Sequence, residues 1–191
     1  MDHQVADDAE LLRAHAAGDA HAFARLYDRY DRPCFQFIRR LVGSTDAAED
    51  LHQETWLAIS RSAASFDPAK ASFRAWLFTV ARHKVFDHFR RQKVAVLASA
   101  GDDAVMNLIP DPQASPLDQV ASRDLAQRLV NALEALPVEQ RGAFIMFADA
   151  ELTLEEIARA SGVAVETAKS RLRYARAKLR QVFAGERQVH V

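Results

Sequence analysis

The chain has 191 residues, enough for one domain or two small ones, with 25 basic residues, 26 acidic ones and a formal net charge of −1. Its 36 alanines against only 6 glycines and 6 prolines favour helix throughout and argue against a sandwich or barrel. No apolar run approaches the roughly 18 residues that span a bilayer. The acidic start, Met1 to Asp8, lacks the apolar core of a secretory signal, and the lone Cys34 can form neither an internal disulfide nor a cysteine-based zinc site.

The first helix is expected over 8–17, stopped by Gly18. Asp19 then caps a helix with Phe23, Leu26, Tyr27 and Tyr30 on one face. Pro33 marks a break or kink, after which Phe35, Ile38, Leu41 and Val42 carry the apolar face to Gly43. Cys34, set among Phe35, Phe37 and Ile38, reads as a core thiol. Thr45 or Asp46 caps a helix over about 47–62 with Leu51, Thr55, Ala58 and Ile59 inward. Ser65 to Ser72 is a turn. A long helix over about 73–92 follows, with Phe73, Trp76, Leu77, Val80 and Phe89 as its apolar positions.

Residues 95–121 carry Asp102, Asp103, Asp111 and Asp118 and no basic residue, together with Gly101, Pro110, Pro112 and Pro116. This reads as a solvated linker between two helical domains, its acidity keeping it off a polyanion bound by both neighbours. Ser115-Pro116-Leu117-Asp118 looks like a capping box that opens a helix with Leu125, Leu129, Leu133 and Leu136. A second helix carries Phe144, Ile145 and Phe147. Thr153 and Glu156 form another capping box, opening a short helix that stops at Ser161-Gly162, and a last helix runs from about Val165 to Phe183.

Three segments carry chemistry. The first, 153–180, is a short helix, a tight turn and a basic helix, the pattern of a helix-turn-helix. Val165, Ala168, Leu172, Ala175 and Leu179 recur at core spacing and leave Thr167, Ser170, Arg171, Arg173 and Tyr174 outward. Small polar groups near a helix N-terminus suit base edges, and flanking Lys169 and Arg176 suit phosphates. A merely solvated basic face would show the same charges. The second segment interleaves Phe66, Phe73, Trp76, Phe78, Phe86 and Phe89 with Lys70, Arg74, Arg82, Lys84, Arg90, Arg91 and Lys93. That pattern suits stacked bases of a single strand or a core with a basic outer side; Phe73, Trp76, Leu77 and Val80 repeat at core spacing. In the third, Asp50 and Glu54 are like charges at i,i+4, a mild strain that a basic partner would relieve. His83 and Asp87 share a helix face but lack further ligands for a metal, and there is no Gly-rich phosphate loop or nucleophile elbow, so neither catalysis nor a cofactor is expected.

Together these segments resemble one family. Phe23 to Tyr30, Ala48 to Glu54, Phe73 to Arg82 and Asp87 to Arg91 look like region two of an extracytoplasmic-function (ECF) sigma factor. Ala135-Leu136-Pro137, Leu154 to Ala158 and Thr167 to Arg176 look like its region four. The resemblance implies an all-α chain of two helical domains joined by a flexible linker: region two over 8–94, linker over 95–121, region four over 122–184. It implies a cytoplasmic bacterial factor that binds core RNA polymerase through Asp50, Gln53 and Glu54. Phe66, Lys70, Phe73, Arg74, Trp76, Arg82 and His83 would melt and hold the minus-ten element, the Phe66–Ser72 loop capturing an extruded base. Thr167, Lys169, Ser170, Arg171, Arg173, Tyr174 and Arg176 would read the minus-thirty-five duplex. An anti-sigma partner is also implied, and no metal, cofactor or membrane insertion. His83 stands where many relatives carry Asn, and Tyr174 where several carry Arg, so neither promoter sequence transfers. A stand-alone helix-turn-helix regulator with a sensing N-terminal domain is the rival reading; it would bind a specific duplex without polymerase.

Overall fold

The computed structural model describes residues 7–99 and 120–184, with side chains over 7–94 and 127–181. Residues 100–119 of the segment expected as a linker, and with them the capping box at Ser115, lie outside the described residues, while 95–99 and 120–121 are helical. The described part is helical, with no strand among the described residues.

Four helices build the N-terminal half: α1 (Asp8–Ala16), α2 (Ala20–Val42), α3 (Thr45–Ser62) and α4 (Phe73–Ser99), with a short 3-10 turn at Ala63–Ser65. Asp19 caps α2 by accepting from the backbone N–H groups of His21 and Ala22. Pro33 does not break the chain: α2 continues through it to Val42, because the lost backbone donor is outweighed by burial of Cys34, Phe37, Ile38 and Leu41 beyond it. Gly43, at φ 80°, ends the helix in a conformation that favours glycine. The cap of α3 is Ser44, whose hydroxyl accepts from Ala47 N–H at 3.3 Å, one residue earlier than expected. The helix α4 runs to Ser99, seven residues past the expected end.

Four more helices follow: α5 (Val120–Glu134), α6 (Val138–Ala148), α7 (Leu154–Ser161) and α8 (Val165–Ala184). The Thr153 capping box is complete. Thr153 Oγ1 accepts from Glu156 N–H at 3.2 Å, and Glu156 Oε2 accepts from Thr153 N–H at 2.9 Å. Gly162 closes α7 in the left-handed region, φ 64°.

A single apolar core joins the two halves. Phe37, Leu41, Leu77, Phe78 and Ala81 belong to the same buried cluster as Met146, Leu152, Ile157 and Ala160. A smaller cluster, Ala132, Leu133, Leu136, Ala175 and Leu179, sits under α5 and α8. Three positions expected on apolar faces turn outward: Tyr27 is 39% exposed, Leu129 37% and Val165 38%. Packing of α4 on α7, and of α2 on α6, makes this a closed arrangement of the two halves. Arg141 of α6 reinforces it, donating to the carbonyl of Leu41 in the last turn of α2 at 3.0 Å.

Candidate nucleic-acid and polymerase interfaces

On α8 the inward stripe is Ala168, Leu172, Ala175 and Leu179, each at most 5% exposed. One short polar row, Thr167, Ser170, Arg171 and Tyr174, lies at helical spacing beside a basic row, Lys169, Arg173 and Arg176. Thr167, Lys169, Arg173, Tyr174 and Arg176 are exposed; Ser170 and Arg171 are half-buried. Tyr174 stands 56% exposed with the Arg173 guanidinium 5.2 Å from its ring centroid, and Arg176 covers Phe147 of α6 at 4.3 Å. Lys169 pairs with Glu166 at 3.3 Å, an exposed contact that a phosphate could displace. The outward side of α8 is thus an exposed face rich in basic residues.

The residues expected at the minus-ten element divide. Phe66 lies in the connection before α4, half-buried, with its ring centroid 5.1 Å from that of Trp76. Phe73 is only 2% exposed, wedged among Tyr30, Phe66 and Trp76. It supports the aromatic group from beneath and offers no face to a base. Lys70 is exposed and pairs with Asp67, while His83 is exposed on α4. Partial desolvation of the ring, then the neighbouring Arg82 charge, lowers the His83 pKa from the ordinary histidine value.

Arg82 departs most from the sequence reading. Expected among the minus-ten contacts, it is 7% exposed, stacked on Phe86 at 4.0 Å and ion-paired with Glu139 at 2.9 Å. The reason lies in its register: with Phe78, Ala81 and Val85 it falls on the buried stripe of α4. Arg74 likewise meets Glu151, at 2.7 Å.

On α3, Asp50, Gln53 and Leu57 share one exposed face, and Leu57 is 46% exposed. Tyr27 of α2, 39% exposed, lies beside that face against Trp56. Glu54 is not left without a counter-charge, because Lys84 of α4 approaches it to 3.2 Å. Composition gave no sign of Leu57, although its helical spacing from Asp50 and Gln53, two turns and one turn on, could have placed it.

The chain matches two family models in order, Sigma-70 region 2 over residues 26–94 and Sigma-70 region 4 over residues 126–179. It is 35% identical over 176 residues to the ECF RNA polymerase sigma factor SigM of Mycobacterium tuberculosis, covering 92% of this chain and 84% of that one. This chain belongs to the ECF RNA polymerase sigma factors. BldN of Streptomyces coelicolor is 33% identical over 153 residues, 80% of this sigma factor and 57% of BldN. RpoE of Bartonella quintana, solved with its anti-sigma factor NepR, is 28% identical, with a TM-score of 0.67 and coverage of 85% and 96%. CnrH, solved with the cytosolic domain of CnrY, reaches the same TM-score at 24% identity and shares the fold.

The protein is thus an alternative sigma factor, a DNA-binding subunit that joins core RNA polymerase and directs transcription initiation at promoters. Its homologues are sigma factors rather than enzymes. No described helix is long and apolar enough to cross a membrane.

Proposed function

We propose that residues 8–94 act as region two, 122–184 as region four and 95–121 as the tether between them, in a cytoplasmic protein that itself catalyses nothing. The α3 face of Asp50 and Gln53, extended by Leu57, docks on a basic helical surface of core polymerase. Glu54 contributes less, because Lys84 already neutralises it. Phe66, Trp76, Lys70, Arg74, Arg82 and His83 engage the minus-ten element, with Phe73 as their support. Stacking of an extruded base on Phe66 or Trp76, worth about 1–3 kcal/mol per base, offsets the cost of unstacking it.

Region four reads the minus-thirty-five duplex with the outward face of α8. Ser170, Arg173 and Tyr174 approach base edges; Thr167, Lys169, Arg171 and Arg176 hold phosphates. The observation that carries this reading is that exposed face, on the last helix of a capped helix-turn-helix whose other side is buried.

Promoter engagement needs a more open chain than the one described here. The two elements, about 25 base pairs apart by their names, are separated by ~85 Å of duplex at ~3.4 Å per base pair. The closed form instead holds Arg82 and Arg171 on one carboxylate. An anti-sigma factor, as for the relative solved with NepR, is the partner that would hold the chain away from polymerase. Gel shifts with and without core polymerase test the whole reading. A sigma factor binds a promoter duplex specifically only with core enzyme, whereas equally tight specific binding by the free chain points to a stand-alone regulator.

A further inference from the structure

The hydroxyl of Tyr30 is tied to α1, a helix that lies ahead of the residues matching Sigma-70 region 2. Tyr30 Oη donates to Asp8 Oδ2 in the first turn of that helix, and Arg29 pairs with the other oxygen of the same carboxylate. The Asp8 side chain is 18% exposed. A half-buried tyrosine needs a partner for its hydroxyl, and Asp8 supplies it. Burial, then the Asp8 hydrogen bond, pushes the Tyr30 pKa up, so the phenol stays a donor.

The ring of Tyr30 meets Phe73 edge-on, with centroids 5.3 Å apart. Phe73 in turn lies 6.4 Å from Phe66 and 6.2 Å from Trp76, ring to ring. Phe66 and Trp76 are half-buried, so each keeps accessible surface. The other end of α1 reaches the same connection from its start. His15 Nε2 and Ser60 Oγ share a hydrogen bond of 2.9 Å, and α1 packs on the Ala63–Ser65 turn. The first carbonyl of that turn accepts from Phe66 N–H at 3.2 Å. Helix α1 therefore braces both the chain leading into Phe66 and the ring beneath it.

We propose that Tyr30, anchored by Asp8, is a positioning residue that sets Phe73, and through it the Phe66–Trp76 pair, to receive one base extruded from the minus-ten strand. The proposal rests on reading Phe66 and Trp76 as the surface that takes that base. Phe66 lies outside the helices, so no helical ladder fixes its place and the side chains under it must. A stacking platform that is ordered before the base arrives keeps more of the stacking energy than one ordered by it. Tyr30 acts through Phe73 and does not touch the base.

The test uses holoenzyme reconstituted from core RNA polymerase and the full chain. The probes are fork-junction promoter fragments, taken from starts mapped with this chain, whose single-stranded minus-ten strand lacks one base at a time. The position where an abasic site weakens native holoenzyme most is the captured base. Tyr30→Phe keeps the ring and removes only the hydroxyl. It is expected to weaken binding to the intact fragment about three-fold, the scale of one hydrogen bond, and to leave binding to that abasic fragment as it was. Asp8→Ala should repeat this result, and Asp8→Asn, whose amide oxygen still accepts from the Tyr30 hydroxyl, should bind as the native chain does. Equal weakening of Tyr30→Phe on intact and abasic fragments marks a general structural role and overturns the proposal, as does no weakening at all. Phe66→Ala and Trp76→Ala are the controls for the underlying reading. If neither depends on that base, the capture surface itself is misplaced; if either does while Tyr30→Phe does not, the proposal alone falls.

Discussion

Trp56 donates its indole N–H to His52 Nε2 at 2.9 Å, one turn back along α3. Asp31 Oδ1 stands 3.2 Å from the same nitrogen. The ring can accept from Trp56 only while that nitrogen is unprotonated; a proton there would turn toward Asp31 and leave the indole without a partner. Burial lowers the His52 pKa, and Asp31 opposes the shift.

Stability should therefore fall on acidification. A histidine whose folded pKa lies below its unfolded value binds fewer protons when folded. Its contribution is complete above the ordinary value of 6.5 and is lost as pH falls through the lower folded value. The His83 and His88 pKa values are lowered as well, burial being the largest cause for each. Thermal melts from above pH 6.5 to about a unit below it should show a falling midpoint. His52→Gln, whose amide oxygen still accepts from Trp56, should flatten that fall. A midpoint as pH-dependent as the native one would remove His52 from the explanation.

The outward face of α8 should separate base contacts from phosphate contacts. Arg173→Ala is expected to cost about 1–3 kcal/mol on a cognate minus-thirty-five duplex in holoenzyme and to relax its sequence preference. Lys169→Ala should weaken all duplexes alike and lower the salt slope by about one. Footprinting over a salt series measures both. Loss of affinity without loss of selectivity in Arg173→Ala would make that residue another phosphate contact.

On α3, Asp50→Lys should weaken association with core polymerase about ten-fold or more, because a reversed charge against a basic surface adds repulsion to the lost attraction. Its effect on the melting of the free protein should stay within about 0.5 kcal/mol, as the position is exposed. Glu54→Lys is a poorer probe, since it also faces Lys84. Co-purification with tagged core enzyme reads the association, and undiminished retention of Asp50→Lys would move the polymerase contact elsewhere.

Thr153→Ala removes half of the capping box that starts the helix-turn-helix. The expected cost is about 1 kcal/mol, seen as a drop of roughly 2–4 °C in melting temperature for a chain of this size. The effect should extend beyond α7, because Glu156, the partner of Thr153, also accepts from Ser72 across the two halves. Calorimetry measures it, and an unchanged midpoint would show the cap to be redundant.

Much of the fold was legible because helix punctuation is local. Asp19, Gly43, Thr153 and Gly162 act where the sequence places them. The misplaced boundaries have one tertiary cause and one local one. Pro33 is carried through by the packing on either side of it, and Ser44 captures Ala47 before Thr45 or Asp46 can cap. The α8 face was legible for the same local reason: Ala168, Leu172 and Ala175 fix which residues turn outward.

The contacts between the halves were not legible. Glu139, Glu151 and Glu156 look in sequence like ordinary solvated acids, and only the packing of α6 and α7 on the N-terminal bundle brings them to Arg82, Arg74 and Ser72. Arg82 could have been suspected, since it shares a stripe with Phe78 and Val85. Arg141, buried with its Nε unpaired while it donates to Leu41, carries no sequence signal at all.

The most direct measurement is transcription by core RNA polymerase reconstituted with this chain on a fragmented genomic template, with the transcript starts sequenced. The result expected is a discrete set of starts sharing paired upstream elements, present only when both core enzyme and this chain are added. The set should lose starts with Asp50→Lys and shift in upstream sequence with Arg173→Ala. Starts identical with and without the chain would contradict its role in promoter selection.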